Sequence, residues 1–228
     1  MFCHTHRPFL NYANLMVPSV LVIILWIITI VNIVLGGSLS SFGVSPRLFP
    51  LGLIGIFSAP FIHSSLAHMG ANTIPFFVTG AIINGTRGTA HFLALSAAIA
   101  ISSGLMVWTF GRTETTHVGA SGVIFGYVGF LCVAAAIHRN FASVAIAVVV
   151  IFLYGTMLFG IFPSDEKVSW EGHLFGLLMG GFISYVYGLN VYDSREHIDG
   201  AIDDYTSGGT EGERNPILGQ QQSQNGVV

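Results

Sequence analysis

Residues 119–137 read GASGVIFGYVGFLCVAAAI, and residues 172–189 read GHLFGLLMGGFISYVYGL. Each is an apolar run of near-spanning helical length, opened by one reactive side chain: Ser121 in the first, His173 in the second. A serine and a histidine, each just inside a hydrophobic segment, are the ingredients of a nucleophile and its base set in a membrane. Glycines recur four apart in both runs: Gly122 and Gly126 after the serine, Gly172, Gly176 and Gly180 around the histidine. Small residues at this spacing let helix backbones approach closely in lipid. Close approach of these two runs brings Ser121 and His173 within hydrogen-bond reach.

Composition sets the class. Of 228 residues, 52% are hydrophobic and only 8% charged, whereas soluble domains carry about 25% charged residues. The chain therefore reads as an all-α polytopic membrane protein. Eight Lys and Arg are scattered singly, with no basic patch, so no nucleic-acid surface is expected. Cys3 and Cys132 fall in a tail and an apolar run, which gives no disulfide framework. Six segments approach spanning length: Val17–Leu35, Leu66–Ile83, Phe92–Phe110, Ser121–Ile137, Phe141–Phe162 and Gly172–Leu189. Leu48–Ile62 is also apolar, but it is short and carries Pro50, Gly52, Gly55 and Pro60. It reads as an interfacial or re-entrant part of a long first loop rather than an extra span.

These segments organise the chain as an N-terminal tail over 1–16, a membrane domain over 17–190 and a polar, acidic, disordered tail over 191–228. With the N-terminus inside, Arg7, Arg87, Arg139, Arg195 and Arg214 fall on the inner side against Arg47, Arg112 and Lys167 on the outer, a small bias toward cytoplasmic termini in the cell membrane, the inner one in a bacterium. With six spans, the second, fourth and sixth run in the same direction, from outside to inside. His68 and Asn72 open the second, Ser121 the fourth and His173 the sixth, so all four polar residues are expected at one depth near the outer surface.

Intramembrane ionisable residues are costly and mark function by default. Histidine escapes most of that cost because it can be neutral, so His173 can act as general base without a resting charge. No Asp or Glu falls within any of the six segments, and Glu171 precedes His173 by two residues, on another helical face. The reading is a Ser–His dyad without a carboxylate. His68 and Asn72, at i and i+4, share one helical face and offer donors for an oxyanion, to which the Ser121 backbone N–H adds a third. His63, five residues before His68, either supports it or lines water access.

The set His63-x4-His68-x3-Asn72, Gly119-Ala120-Ser121-Gly122 and His173-x2-Gly176-x3-Gly180 resembles the rhomboid family of intramembrane serine proteases. The resemblance covers Val17 to Leu189. It implies a six-helix membrane bundle that cleaves single-span transmembrane proteins near the outer face of the membrane. It also implies Ser121 as nucleophile, His173 as base, and His68 and Asn72 at the oxyanion. Phe125, four residues after the serine, is implied to pack on the His173 ring, where many members have Tyr. Two features depart from the family. The first loop lacks a Trp-Arg pair, Arg47 being its only cation, and Asn84 stands near a position often acidic; both features concern loop anchoring rather than bond cleavage. Pro75 removes a helix hydrogen bond and is expected to shape substrate access.

Other readings are weaker. His63 and His68 at i, i+5 miss a common helical face, so no metal or cofactor is expected. His117 is expected in a loop over the site, solvated as loop histidines usually are. The expected partners are transmembrane-helix substrates and membrane lipid; no oligomeric state is specified. The alternative function is a catalytically inactive relative that binds transmembrane helices, although such proteins typically lack the serine or the histidine.

Overall fold

A computed structural model of the chain describes residues 12–139, 144, 145, 148 and 169–188. The described secondary structure is helical apart from one antiparallel bridge between Val44 and His117. The helices are α1 (Tyr12–Val34), α2 (Leu51–Ser58), α3 (Leu66–Arg87), α4 (Thr89–Phe110) and α5 (Ser121–His138). A further helix over 170–188 is called α6. The chain divides into two compact units at Tyr185/Val186, and only the helical residues 186–188 of the second are described.

Three described helices are long and apolar enough to cross a membrane: Asn14–Val34, Leu66–Arg87 and Thr89–Phe110. Ser121–Ile137 is a shorter apolar helix. Most of the fifth expected segment, Phe141–Phe162, lies outside the described residues, as do both tails beyond Tyr12 and Gly188. The apolar stretch of the first loop folds as α2, eight residues followed by a 3-10 turn over Ala59–Phe61. Eight helical residues rise about 12 Å, far short of the hydrocarbon core, so α2 is no span.

The core joins α1, α3, α4 and α5 through Leu25, Met69, Phe76, Ile99, Ile124 and Tyr127. Trp26 on α1 donates its indole N–H to Thr73 on α3 at 3.0 Å. At the far end of α3, Asn84 donates to the Asn14 carbonyl at 2.8 Å. The residue in the often-acidic place therefore ties α3 to the start of α1. Pro75 is accommodated inside an unbroken α3.

Glycine sets the α5–α6 contact. A Cβ on Gly176 would strike the backbone of Gly122, and one on Gly180 would strike the backbone of Gly126. The two helices therefore run parallel with their backbones touching, as the four-residue glycine spacing predicts. His68 of α3 lies against Gly119, and Phe76 and Tyr127 pack farther along the same two elements, with ring centroids 5.9 Å apart. Thus α3, α5 and α6 all begin at one end of the bundle.

Candidate active site

Ser121 is the first residue of α5, after Ala120 at the cap position. The helix itself leaves its first N–H groups unused, so the Ser121 amide points out of the helix start beside its own hydroxyl. His173 lies one turn into α6. Its Nε2 is 2.8 Å from Ser121 Oγ, a hydrogen-bond distance. The Phe125 ring stacks on the His173 ring, with centroids 4.4 Å apart and planes 12° from parallel. That stacking fixes the imidazole plane.

The loop before Ser121 is held tightly. Gly119 has φ +119°, a conformation that favours glycine, and a Cβ there would fall 2.8 Å from the His68 ring. The Gly119 amide donates to the Ala59 carbonyl at 2.9 Å. The Ala120 amide donates to His63 Nε2 at 3.2 Å. His63 must therefore carry its proton on Nδ1, which faces Thr29 Oγ1 at 3.4 Å. Its carbonyl accepts from Asn32 Nδ2 at 3.1 Å. Through His63, helix α1 braces the nucleophile loop; of the two roles expected for this histidine, support is the one the contacts describe.

Burial holds the His63 imidazole at a pKa of about 4, with His68 pushing the same way and the Phe61 backbone opposing. The folded state thus refuses a proton that the unfolded chain takes up below its ordinary value near 6.5. Stability is fully present above that value and falls as pH drops toward 4, by about 3 kcal/mol from this group. Thermal unfolding between pH 7 and 4.5 is expected to show this loss, and His63→Gln to flatten the slope. An unchanged slope in the variant would contradict the assignment.

His68 is set by the two serines before α3. Ser65 caps the helix by accepting from the His68 amide at 3.1 Å, and Ser64 Oγ lies 3.3 Å from His68 Nδ1. The His63 and His68 rings meet edge to face with centroids 5.1 Å apart. Asn72 is buried and donates one amide hydrogen to the His68 carbonyl at 3.1 Å, which leaves a second N–H on the same nitrogen.

Three contacts were not expected from sequence. First, His117 is buried, not solvated. Its Nε2 lies 2.9 Å from Thr115 Oγ1, its Nδ1 bonds Ser169 Oγ, and its backbone pairs with Val44. Burial lowers its pKa, Glu171 opposing and Arg112 adding to the effect, which suits a neutral ring bridging two hydroxyls. Second, the Arg112 guanidinium grips the buried Glu171 carboxylate with two nitrogens, Nε on Oε1 and Nη2 on Oε2. Third, Arg47 donates to the carbonyls of Thr109 and Gly111, each at 2.9 Å, while the Trp108 indole donates to the Leu48 carbonyl at 3.2 Å. An arginine and a tryptophan from different segments anchor the first loop that lacks its own pair. Sequence offered one signal for the second contact: Glu171 and Arg112 are opposite charges just outside the sixth and third apolar segments.

A cavity of about 50 Å³ lies against Ser121, lined also by Ser103, His117, Ser169 and Gly122 among others. Among the described residues, no group of three His, Cys, Asp or Glu side chains converges as a metal site would require.

Comparison with known proteins gives the family. The chain matches the Rhomboid domain family over residues 50–190. An uncharacterized protein of Mycobacterium tuberculosis is 35% identical over 173 residues, covering 72% of this chain and 71% of the relative. An uncharacterized protein of Mycobacterium leprae is 33% identical over 172 residues, covering 72% and 67%. The rhomboid protease GluP of Bacillus subtilis is 28% identical over 129 residues, covering 56% of this chain and 25% of that longer protein. The chain is an integral membrane protein of the rhomboid family.

Proposed function

We propose that this protein is an intramembrane serine endopeptidase that cleaves single-span transmembrane proteins near the outer membrane face. The observation that carries the reading is the 2.8 Å separation of His173 Nε2 and Ser121 Oγ. Ser121 Oγ attacks the scissile carbonyl carbon while its proton passes to His173 Nε2. The oxyanion takes hydrogen bonds from His68, Asn72 and the Ser121 amide. The C–N bond then breaks, and His173 returns the proton to the leaving amine. Water attacks the acyl-enzyme with His173 again as base, releasing the new carboxyl terminus. A substrate must present locally unwound backbone, because an intact helix shields its carbonyls.

The same reading includes six spans, a membrane domain over 17–190 with tails on either side, and cytoplasmic termini in the cell membrane. No cofactor enters it. Retention of both Ser121 and His173 favours an enzyme over a helix-binding relative.

The test is cleavage in liposomes of a single-span substrate whose outer end carries helix-breaking residues. Cleavage by wild type and none by Ser121→Ala is the expected result; cleavage by both would overturn it. Asn72→Ala is expected to lower kcat by about 10²–10³-fold with little change in KM, as loss of one oxyanion donor does. A rise in KM at constant kcat would instead make Asn72 a substrate-binding group.

A further inference from the structure

A larger cavity, of about 280 Å³, lies beside the small one against Ser121. It is bounded by Leu21 and Leu25 of α1, Leu93 and Ala97 of α4, and Val123 and Tyr127 of α5, with the first loop over it. Along α5 its wall runs from Ala120 to Tyr127, about 10 Å of helix. Among the described residues its lining holds no charged side chain and no histidine. Its polar groups are already satisfied: Ser96 donates to the Phe92 carbonyl, and the Tyr127 hydroxyl donates to Ser96 Oγ, each at 2.6 Å.

The mouth faces outward. Phe57, Phe61, Leu93 and Ile101 line the cavity and are also 38–65% exposed. In a membrane protein such apolar faces meet hydrocarbon. A dry apolar space of this size attracts no water, and left empty it forfeits the dispersion contacts of its walls. With no cation in the lining, a carboxylate or phosphate would find no partner inside it. The chemistry fits a hydrocarbon chain whose polar end stays outside.

We propose that this cavity is a binding site for one acyl chain of a bilayer phospholipid, which enters between α1 and α4 beneath the first loop. Ile56, Pro60, Ala100 and Val123 line both this cavity and the one against Ser121. A seated chain therefore presses on the wall of the catalytic cavity and on Ala120, and supports the reactivity of Ser121; this coupling rests on the function proposed above. Free fatty acid is disfavoured, because its carboxylate would have to lie at or within the uncharged mouth.

The experiment places the full-length protein in vesicles of phosphatidylcholine that carries a photoactivatable diazirine within one acyl chain. Labelled residues are then mapped by mass spectrometry. Leu25, buried on α1, is expected to label several-fold more than Thr29, which is also buried one turn along the same helix but does not line the cavity, while Ile23 and Ile27 face the bulk lipid and label in any case. Ala97→Trp, which fills the mouth, is expected to remove that excess and leave Ile23 and Ile27 unchanged. Leu93→Trp serves the same purpose if Ala97→Trp fails to fold. Labelling of Leu25 no greater than that of Thr29, or an excess that survives both variants, would overturn the site; so would an excess obtained only with free diazirine fatty acid. Reaction of Ser121 with a fluorophosphonate is followed in the same samples, and slower reaction in Ala97→Trp is the expected sign of coupling. A wild-type Ser121 that never reacts, beside a clear labelling excess, would count against the protease reading and not against the lipid site.

Discussion

Ser121→Ala, His173→Ala and the double variant are expected to lose cleavage activity by the same large factor, about 10⁴–10⁶-fold. A serine hydroxyl is a weak nucleophile until its proton has somewhere to go, and His173 Nε2 is the acceptor within hydrogen-bond reach. Removing either partner destroys one shared function, so removing the second costs little more. The Ser121→Asn or Gly route is less informative than Ala, because it adds a polar group or loosens the start of α5. Additive losses in a double-mutant cycle would mean that the two residues act independently. Steady-state cleavage in liposomes measures all three variants under one condition. Thermal unfolding in the same lipid shows that the variants remain folded.

Gly176→Val is expected to cost more than a hundredfold in kcat although residue 176 touches no substrate. A Cβ at Gly176 would meet the oxygen, carbon and Cα of Gly122, all backbone, so neither side can swing aside. The helices must separate instead. Gly122 follows Ser121 directly and Gly176 lies one turn below His173, so separation lengthens the Ser121–His173 hydrogen bond. Misplacing a reacting group by about 1 Å costs about 10²-fold. Overpacking adds about 1–3 kcal/mol of destabilisation. Gly180→Val, striking Gly126 one turn farther along, is expected to act the same way. Gly70→Ala is the control: Gly70 is an exposed glycine of α3 with no atom near its missing Cβ, so activity is expected to hold. Wild-type kcat in Gly176→Val would contradict the view that glycine contact sets the dyad geometry.

The parts of this site legible in sequence are those encoded by local spacing. Glycines four apart announced the close α5–α6 contact, and the shared direction of the second, fourth and sixth segments gathered His68, Ser121 and His173 at one end. The stacking of Phe125 on His173 came from the family resemblance and not from spacing, although one helical turn from Ser121 is what allows it. Pairings between distant loops were not legible. Nothing local to His117 told that Ser169 and Thr115 would bury it, or that Val44 would pair with its backbone. The anchoring of the first loop was likewise hidden, because Arg47 and Trp108 are far apart in sequence and act on each other's segments. His63 was ambiguous for the same reason: its partner is the Ala120 amide, and a backbone donor leaves no trace in a sequence.

The central claim is that His173 activates Ser121. It is tested most directly by mapping the covalent adduct of a fluorophosphonate on the purified protein in lipid, wild type beside His173→Ala. The account predicts one adduct, on Ser121, forming in wild type and suppressed in His173→Ala while both proteins stay folded. An adduct that forms as fast without His173, or a folded wild type that forms none, would contradict it.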